Sequence, residues 1–113
     1  MSFMKTLLSA LIRGAESWLP ARQLLIIEGD MLPAKIPRRT VILTKDGDED
    51  WSVGFRCPCG CGSVIELLLI KDATPHWSYI VDKNNRPSLY PSVWLKTGCE
   101  SHFWLKNGRI YWA

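Results

Sequence analysis

The residues best able to do chemistry in this sequence are four cysteines and a histidine. Cys57, Cys59 and Cys61 stand within five positions of one another, and Cys99 comes three positions before His102. Thiolates and imidazole nitrogens are typical zinc ligands, and two separate turns can present them in a tetrahedron. Sulfur-rich ligation also favours zinc over magnesium, calcium or manganese. The sequence therefore predicts one structural zinc ion held by these two turns.

The candidate ligands exceed by one the four positions of a tetrahedral site. We expect the metal to bind Cys57, one or both of Cys59 and Cys61, and the downstream pair Cys99 and His102. Which of the three clustered thiols is spare stays open at this point. An unmetallated thiol cluster and a catalytic metal are the alternatives, and a catalytic metal would keep one coordination position open.

Motifs that would indicate catalysis are not visible in the sequence. The acids nearest the cysteines, Glu66 and Glu100, belong to no His-Glu catalytic motif. We find no Gly-rich phosphate loop, no nucleophile elbow and no Ser/His/Asp set. His76 stands at the start of a predicted strand and is interpreted as an ordinary surface histidine. These observations favour a protein that is not an enzyme.

Length and composition are those of one small globular domain. The chain has 113 residues, of which 47% are hydrophobic and 22% charged, a balance that excludes a disordered protein. No apolar run approaches the length of about 18 residues that a membrane-spanning helix needs. The apolar stretch after Lys5 ends at Arg13, too early for a secretory signal. Because three crowded cysteines bridge one another poorly, we predict a cytoplasmic protein with reduced thiols.

An amphipathic helix is predicted at the N-terminus. Between Met4 and Leu19 apolar residues recur at spacings of three and four, with polar residues on the other face. Ser2 is a suitable cap, and Pro20 is expected to end the helix. Its apolar stripe would either pack on the domain or bind a partner. We therefore divide the chain into an N-terminal helix, residues 1–20, and a single zinc-binding domain, residues 21–113.

The remainder of the chain has the pattern of short strands. Runs rich in β-branched and aromatic residues predict strands at 24–27, 40–44, 51–56, 64–70, 76–81, 88–90, 103–106 and 109–112. The last two are joined by Asn107-Gly108, the strongest two-residue hairpin signal. The predicted fold class is α+β and mostly β: an N-terminal amphipathic helix followed by a small β-rich, zinc-ribbon-like domain.

The cysteine turns belong to a longer set of motifs. A C-x-C-G-C-G turn at 57–62, Pro91-Ser92, a C-x-S-H-F-W turn at 99–104 and a terminal Trp112-Ala113 occur in this order. The combination resembles a small bacterial zinc-binding family of unknown function over residues 24–113. The resemblance implies an accessory role in protein modification, because some relatives accompany prokaryotic ubiquitin-like modifiers and their conjugating enzymes. Defence against phage is a setting that it suggests, and it supplies no established catalytic residue.

Three functions are compatible with these features. The preferred one is a noncatalytic structural-zinc module that binds protein, such as a ubiquitin-like modifier or its conjugation enzymes. The second is a nucleic-acid-binding zinc ribbon, favoured by Arg38-Arg39 and by the scattered basic and aromatic residues of the second half. The third is an enzyme, either a zinc hydrolase or a thiol-transfer protein that uses a spare cysteine.

Overall fold

The computed structural model describes residues 16 to 113. In this part of the chain nine strands form three sheets, of four, two and three strands. They are preceded by one short 3₁₀ helix, Glu16–Trp18. No helix among these residues is long and apolar enough to cross a membrane.

The four-stranded sheet follows the order of the chain. Its strands are β1 (Gln23–Glu28), β2 (Thr40–Asp46), β3 (Glu49–Arg56) and β4 (Val64–Leu68). β1 pairs parallel with β2, and the other two pairs are antiparallel. The middle of β2 is buried without alternation, as expected for a strand that is covered on both faces. β3 ends directly before the first cysteine turn and so positions it.

The other two sheets are smaller and antiparallel. β5 (Ser78–Val81) pairs with β6 (Pro87–Tyr90), while β7 (Val93–Trp94), β8 (His102–Lys106) and β9 (Arg109–Trp112) form the third sheet. In the third sheet Trp94 lies opposite His102. The residues between β7 and β8 carry Cys99, so this sheet holds the second cysteine turn.

The hydrophobic core joins the first and third sheets next to both cysteine turns. Phe55 of β3 and Phe103 of β8 are almost fully buried, and their rings meet edge to face with centroids 6.1 Å apart. Trp112 also packs edge to face against Phe103, with ring centroids 5.6 Å apart. Phe55 precedes Cys57 by two residues and Phe103 follows His102 directly. This aromatic contact therefore fixes the chain segments that lead into the site.

The strand pattern read from the sequence is confirmed. A strand is found in each of the eight predicted regions, and only β7 was not predicted. The Asn107-Gly108 hairpin is confirmed as well, with φ of 49° and 73° at its two central residues. Glycine is required at position 108, because a side chain there would collide with the backbone of Arg22.

The predicted α+β fold class is wrong, because the described residues form an all-β domain. Most of the expected helix of residues 2–19 falls on residues 1–15, which lie outside the described part of the chain. Its final residues form a 3₁₀ turn, and Trp18 and Leu19, assigned to the apolar stripe, are 87% and 41% exposed. A helical spacing of apolar residues stabilises a helix only where that face is buried. The zinc-ribbon-like arrangement is likewise replaced by three sheets.

Candidate metal centre and serine–histidine pair

The two cysteine turns meet in space. The first turn, at residues 57–62, is closed by hydrogen bonds from the Cys57 N–H to the Ser63 carbonyl and from the Gly60 N–H to the Cys57 carbonyl. Gly60 and Gly62 both have φ of 87°, a left-handed conformation that glycine adopts without strain. The second turn brings Cys99 against the first, with its Sγ 3.5 Å from the Sγ of Cys57.

The sulfur atoms of all four cysteines form one group. Every pair of Sγ atoms among Cys57, Cys59, Cys61 and Cys99 lies within 4.8 Å, and none of these cysteines is in a disulfide. Four sulfurs at the Zn–S distance of 2.3 Å from a tetrahedral ion would be about 3.8 Å apart. The observed grouping therefore fits a single metal ion with little movement. The three clustered thiols of the first turn and Cys99 together supply four ligands.

The four thiols have different electrostatic environments. Burial raises the pKa of Cys57 and also that of Cys59. Burial also acts to raise the pKa of Cys61, but hydrogen bonds with the side chain and backbone of Ser63 outweigh it and lower that pKa to about 6. The pKa of Cys99 is lowered because hydrogen bonds with Ser101 outweigh its burial. Buried neutral thiols beside readily ionised ones form a donor set that a thiophilic cation would convert to thiolates.

The fifth predicted ligand, His102, lies outside this four-sulfur group. Its Nε2 is 3.1 Å from the Oγ of Ser92, so the imidazole and the hydroxyl are hydrogen bonded. Ser92 directly precedes β7, and His102 is the first residue of β8. Both side chains are half-buried, which keeps them accessible from outside the domain. The structure thus places His102 in a serine–histidine pair.

The imidazole ring of His102 is held by stacking. The ring of Trp94, its cross-strand partner, lies parallel to it with an interplanar angle of 11° and centroids 4.9 Å apart. The Lys96 ammonium lies 2.9 Å from the centroid of the Trp94 ring, and this cation–π contact helps to hold the indole in place. No carboxylate is hydrogen bonded to His102 among residues 16–113. In a catalytic triad an aspartate orients the histidine. In this protein the stacking of Trp94 on the imidazole has that role.

The serine is fixed through its backbone. The indole Nε1 of Trp77 donates a hydrogen bond of 3.4 Å to the carbonyl of Ser92. His102 is also connected to the cysteine cluster through its neighbour Ser101. The Oγ of Ser101 lies 3.1 Å from the Sγ of Cys99. The Leu95 N–H also donates to the Ser101 carbonyl across the loop. These contacts connect the second cysteine turn to the start of β8, the strand that carries His102.

A hydroxyl that is hydrogen bonded to an imidazole can act as a nucleophile, because the imidazole can remove its proton. The histidine can accept the serine proton as the oxygen attacks a carbonyl carbon, and can later return a proton to the leaving group. The sequence alone does not reveal this pair, because the two residues are ten positions apart and no catalytic motif surrounds either of them. The available signal was that both residues fall in the segments that carry the family resemblance.

The surroundings of His76 agree with its interpretation as a surface residue. Its Nδ1 lies 3.0 Å from the Ala73 carbonyl, in an exposed turn, and it contacts neither the cysteines nor Ser92. Glu66, one of the acids closest to the cysteines in the sequence, is hydrogen bonded through Oε2 to the Oγ of Ser52. It lies within the sheet at the middle of β4.

Comparison with protein families adds the biological setting. A family model described as "Bacterial ubiquitination-like system serine protease (BubE)" matches residues 28–113, a range that contains the four cysteines, Ser92 and His102. No curated protein and no solved structure gives a significant match. The connection to a bacterial ubiquitination-like system is therefore confirmed, whereas a zinc family of unknown function is not. Since the match covers most of the sequence, the chain belongs to the BubE family of bacterial ubiquitination-like system serine proteases.

Proposed function

We propose that this protein is a serine peptidase of a bacterial ubiquitination-like system, with Ser92 as nucleophile and His102 as general base. The observation that carries the proposal is the 3.1 Å hydrogen bond between Ser92 Oγ and His102 Nε2. The description of the family as serine proteases supports the same assignment. A nucleophile and base within hydrogen-bond reach are the minimum that acyl transfer requires.

The chemistry follows from the two side chains. As Ser92 Oγ bonds to the scissile carbonyl carbon, its proton passes to His102 Nε2, and that proton then goes to the departing amine as the C–N bond breaks. In the second half, a water molecule gives a proton to Nε2 and attacks the ester carbonyl. Cleavage of the ester returns the proton to Oγ and regenerates the free serine. Trp94 and Trp77 hold the imidazole and the serine backbone in place throughout.

The substrate class is a protein carrying a ubiquitin-like modifier, or the modifier itself before processing. Membership in a ubiquitination-like system indicates protein partners, and the bond to be cut would be a peptide or isopeptide bond at the modifier's C-terminus.

The cysteine cluster has a structural role in this proposal. Zinc bound by Cys57, Cys59, Cys61 and Cys99 would close a four-sulfur site and leave no open position for a substrate. Bound there, the ion supplies folding energy by joining the two turns. Ser101, whose Oγ contacts the Sγ of Cys99, would then hold the neighbouring residue His102 in position.

The direct test is labelling by a fluorophosphonate probe, which reacts with activated serines, followed by cleavage of a modifier-linked substrate. We expect labelling at Ser92 in the unaltered protein, and none in Ser92→Ala. His102→Gln should lower the cleavage rate by at least about 10⁴-fold, as for other members of hydroxyl–imidazole pairs. Ser78→Ala is the matched control, because Ser78 is an exposed serine on β5.

The main alternative is the noncatalytic zinc module that binds protein. In that case the unaltered protein would neither react with the probe nor cleave conjugates, and Ser92→Ala would retain partner binding and biological activity. Full cleavage by Ser92→Ala would likewise overturn the peptidase assignment. Unchanged thermal transitions of the variants would show that any loss of activity is chemical in origin.

A further inference from the structure

A second polar site lies beside the first cysteine turn. A cleft of about 110 Å³ opens between this turn and the segment before β2. Four arginines line it, together with Thr40 and the left-handed Gly60: Arg22, Arg38, Arg39 and Arg56. None of these residues takes part in the serine–histidine pair, so the proposed peptidase function does not account for them.

The cleft has an excess of positive charge. The carboxylate of Glu16 is the acidic group paired with its arginines, at 2.5 Å from Arg22 and 3.0 Å from Arg39. Four guanidinium groups thus face one carboxylate within the described chain. Four thiolates with one divalent ion would have a net charge of −2, and Cys57 is the cysteine of that group that lines the cleft. The sum of these charges would still be positive.

Several guanidinium N–H groups remain available to a ligand. Arg22 donates through Nη1 to Glu16, while Arg56 donates through Nε to the Ile36 carbonyl. Arg39 uses Nε and Nη2 on the Pro20 carbonyl. Arg38 is exposed and has no hydrogen bond or ion pair to any of the residues 16–113. Each guanidinium has five N–H donors in a planar fork, so most donors of Arg38 and Arg56 are unused.

We propose that this cleft binds an oxyanion, a carboxylate or a phosphate group, held by Arg38 and Arg56. The planar fork of arginine matches the spacing of carboxylate and phosphate oxygens and binds them through paired hydrogen bonds. Arg22 and Arg39, already paired with Glu16, also line the cleft and add to its positive potential. The inference does not depend on the peptidase assignment, because it rests on a separate group of residues.

The test is titration calorimetry on the metal-loaded full-length Ser92→Ala protein, which cannot cleave peptides by the proposed route. Two probes distinguish the sources of the oxyanion: inorganic phosphate, and a short peptide with a free C-terminal carboxylate compared with its C-terminal amide. We expect at least one oxyanion to bind, and Arg38→Gln to weaken that binding at least about tenfold. Because Arg38 is exposed, this substitution should leave the thermal transition in place.

Lys83→Gln is the matched control, since Lys83 is an exposed cation in the β5–β6 turn and its loss changes the net charge equally. Binding should be unchanged in this variant. Binding of the free-acid peptide but not the amide identifies a carboxylate site, and binding of phosphate alone identifies a phosphate site. Absence of binding by both probes, or equal weakening by Arg38→Gln and Lys83→Gln, would overturn the proposal.

Discussion

At the level of single residues, the orientation of His102 depends on an aromatic neighbour. Within residues 16–113 its ring makes one side-chain hydrogen bond, to Ser92, and is otherwise fixed by stacking on Trp94. A general base must keep its nitrogen within hydrogen-bond reach of the nucleophile. Under the proposed function Trp94 is therefore a positioning residue, and its contribution should appear in the rate of the chemical step.

Trp94→Ala is expected to lower kcat by about 10- to 100-fold, because small displacements of a catalytic group cost about that much. Trp94→Phe, which preserves a flat ring, should recover most of the rate. The KM should change by less than about threefold if stacking acts mainly on geometry. Steady-state kinetics over a range of pH would provide both constants and the profile of the base.

Tyr111→Ala is the matched control for this prediction, because Tyr111 is an aromatic residue of the same sheet with a similar exposure, 54%. It should leave kcat unchanged. An equal loss in both variants would mean that aromatic residues on this sheet act through stability alone. A normal kcat in Trp94→Ala would contradict the positioning role.

At the level of elements, the short 3₁₀ helix is anchored by Glu16. Its carboxylate pairs with Arg22 and Arg39 and also accepts a hydrogen bond from the Ile110 N–H of β9. Arg109 reaches the carbonyl of Glu16 from the same strand at 2.9 Å. Burial acts to raise the pKa of Glu16, but the bonds and charges of the two arginines outweigh it, so the pKa is lowered.

Glu16→Gln is expected to lower the free energy of unfolding by about 2 kcal/mol at neutral pH, because it leaves the buried guanidinium of Arg22 without its charged partner. A carboxyl with a lowered pKa stabilises the fold above its unfolded pKa, and this stability is lost as pH falls through the folded value. The difference between variant and unaltered protein should therefore shrink below the ordinary pKa of 4.5. Denaturant titrations at several pH values would measure it.

Glu28→Gln is the control, since Glu28 is exposed at the end of β1 and forms no ion pair within the described chain. It should change stability by less than about 0.5 kcal/mol.

The domain boundary predicted at residue 20 can be examined by the same denaturant titrations. A chain beginning at Glu16 should be more stable than one beginning at Ala21, and equal stability of the two would mean that this segment contributes nothing.

At the level of the whole molecule, the cysteine cluster connects the first sheet to the third. Cys57 follows β3, and Cys99 lies in the loop before β8. The contact between Phe55 and Phe103 joins the same two strands through the core. A metal at the cluster would thus close a long-range connection in a domain of limited size, and would order the start of the strand that carries His102.

We expect the purified protein to contain one zinc ion per chain, and chelation to lower its thermal transition strongly. The binding free energy of structural zinc is largely folding free energy, about 10–16 kcal/mol in small zinc peptides. While metal is bound, none of the four thiols should react rapidly with an alkylating reagent. All four should react after chelation and denaturation, and fluorophosphonate labelling of Ser92 should be lost with the metal.

Elemental analysis and mass spectrometry of the alkylated protein would check this prediction. Cys99→Ser should lose metal and stability, whereas Ser78→Ala should retain both, since Ser78 is exposed on β5. A zinc content well below one per chain would contradict the structural role. One rapidly reacting thiol in the zinc-loaded protein would show that only three cysteines bind and that a different group supplies the fourth ligand.

The sequence by itself determined the local features. Alternating and β-branched runs identified eight of the nine strands, and Asn107-Gly108 identified the hairpin, because strand periodicity and turn chemistry are properties of neighbouring residues. The spacing of the cysteines predicted a metal site shared by the 57–61 turn and Cys99, and the same pattern assigned His102 to it. The N-terminal periodicity predicted an α+β fold class that is wrong, because the described residues form strands and a single 3₁₀ turn.

Only the tertiary structure decided which distant residues meet. It left His102 outside the four-sulfur group and placed it in hydrogen-bond contact with Ser92. It also gathered four arginines from three separate segments around one cleft. The physical reason is that the pairing of strands and the packing of the sheets fix such contacts. A one-residue change in register would turn a side chain to the opposite face, and the local pattern does not encode which strand lies beside which.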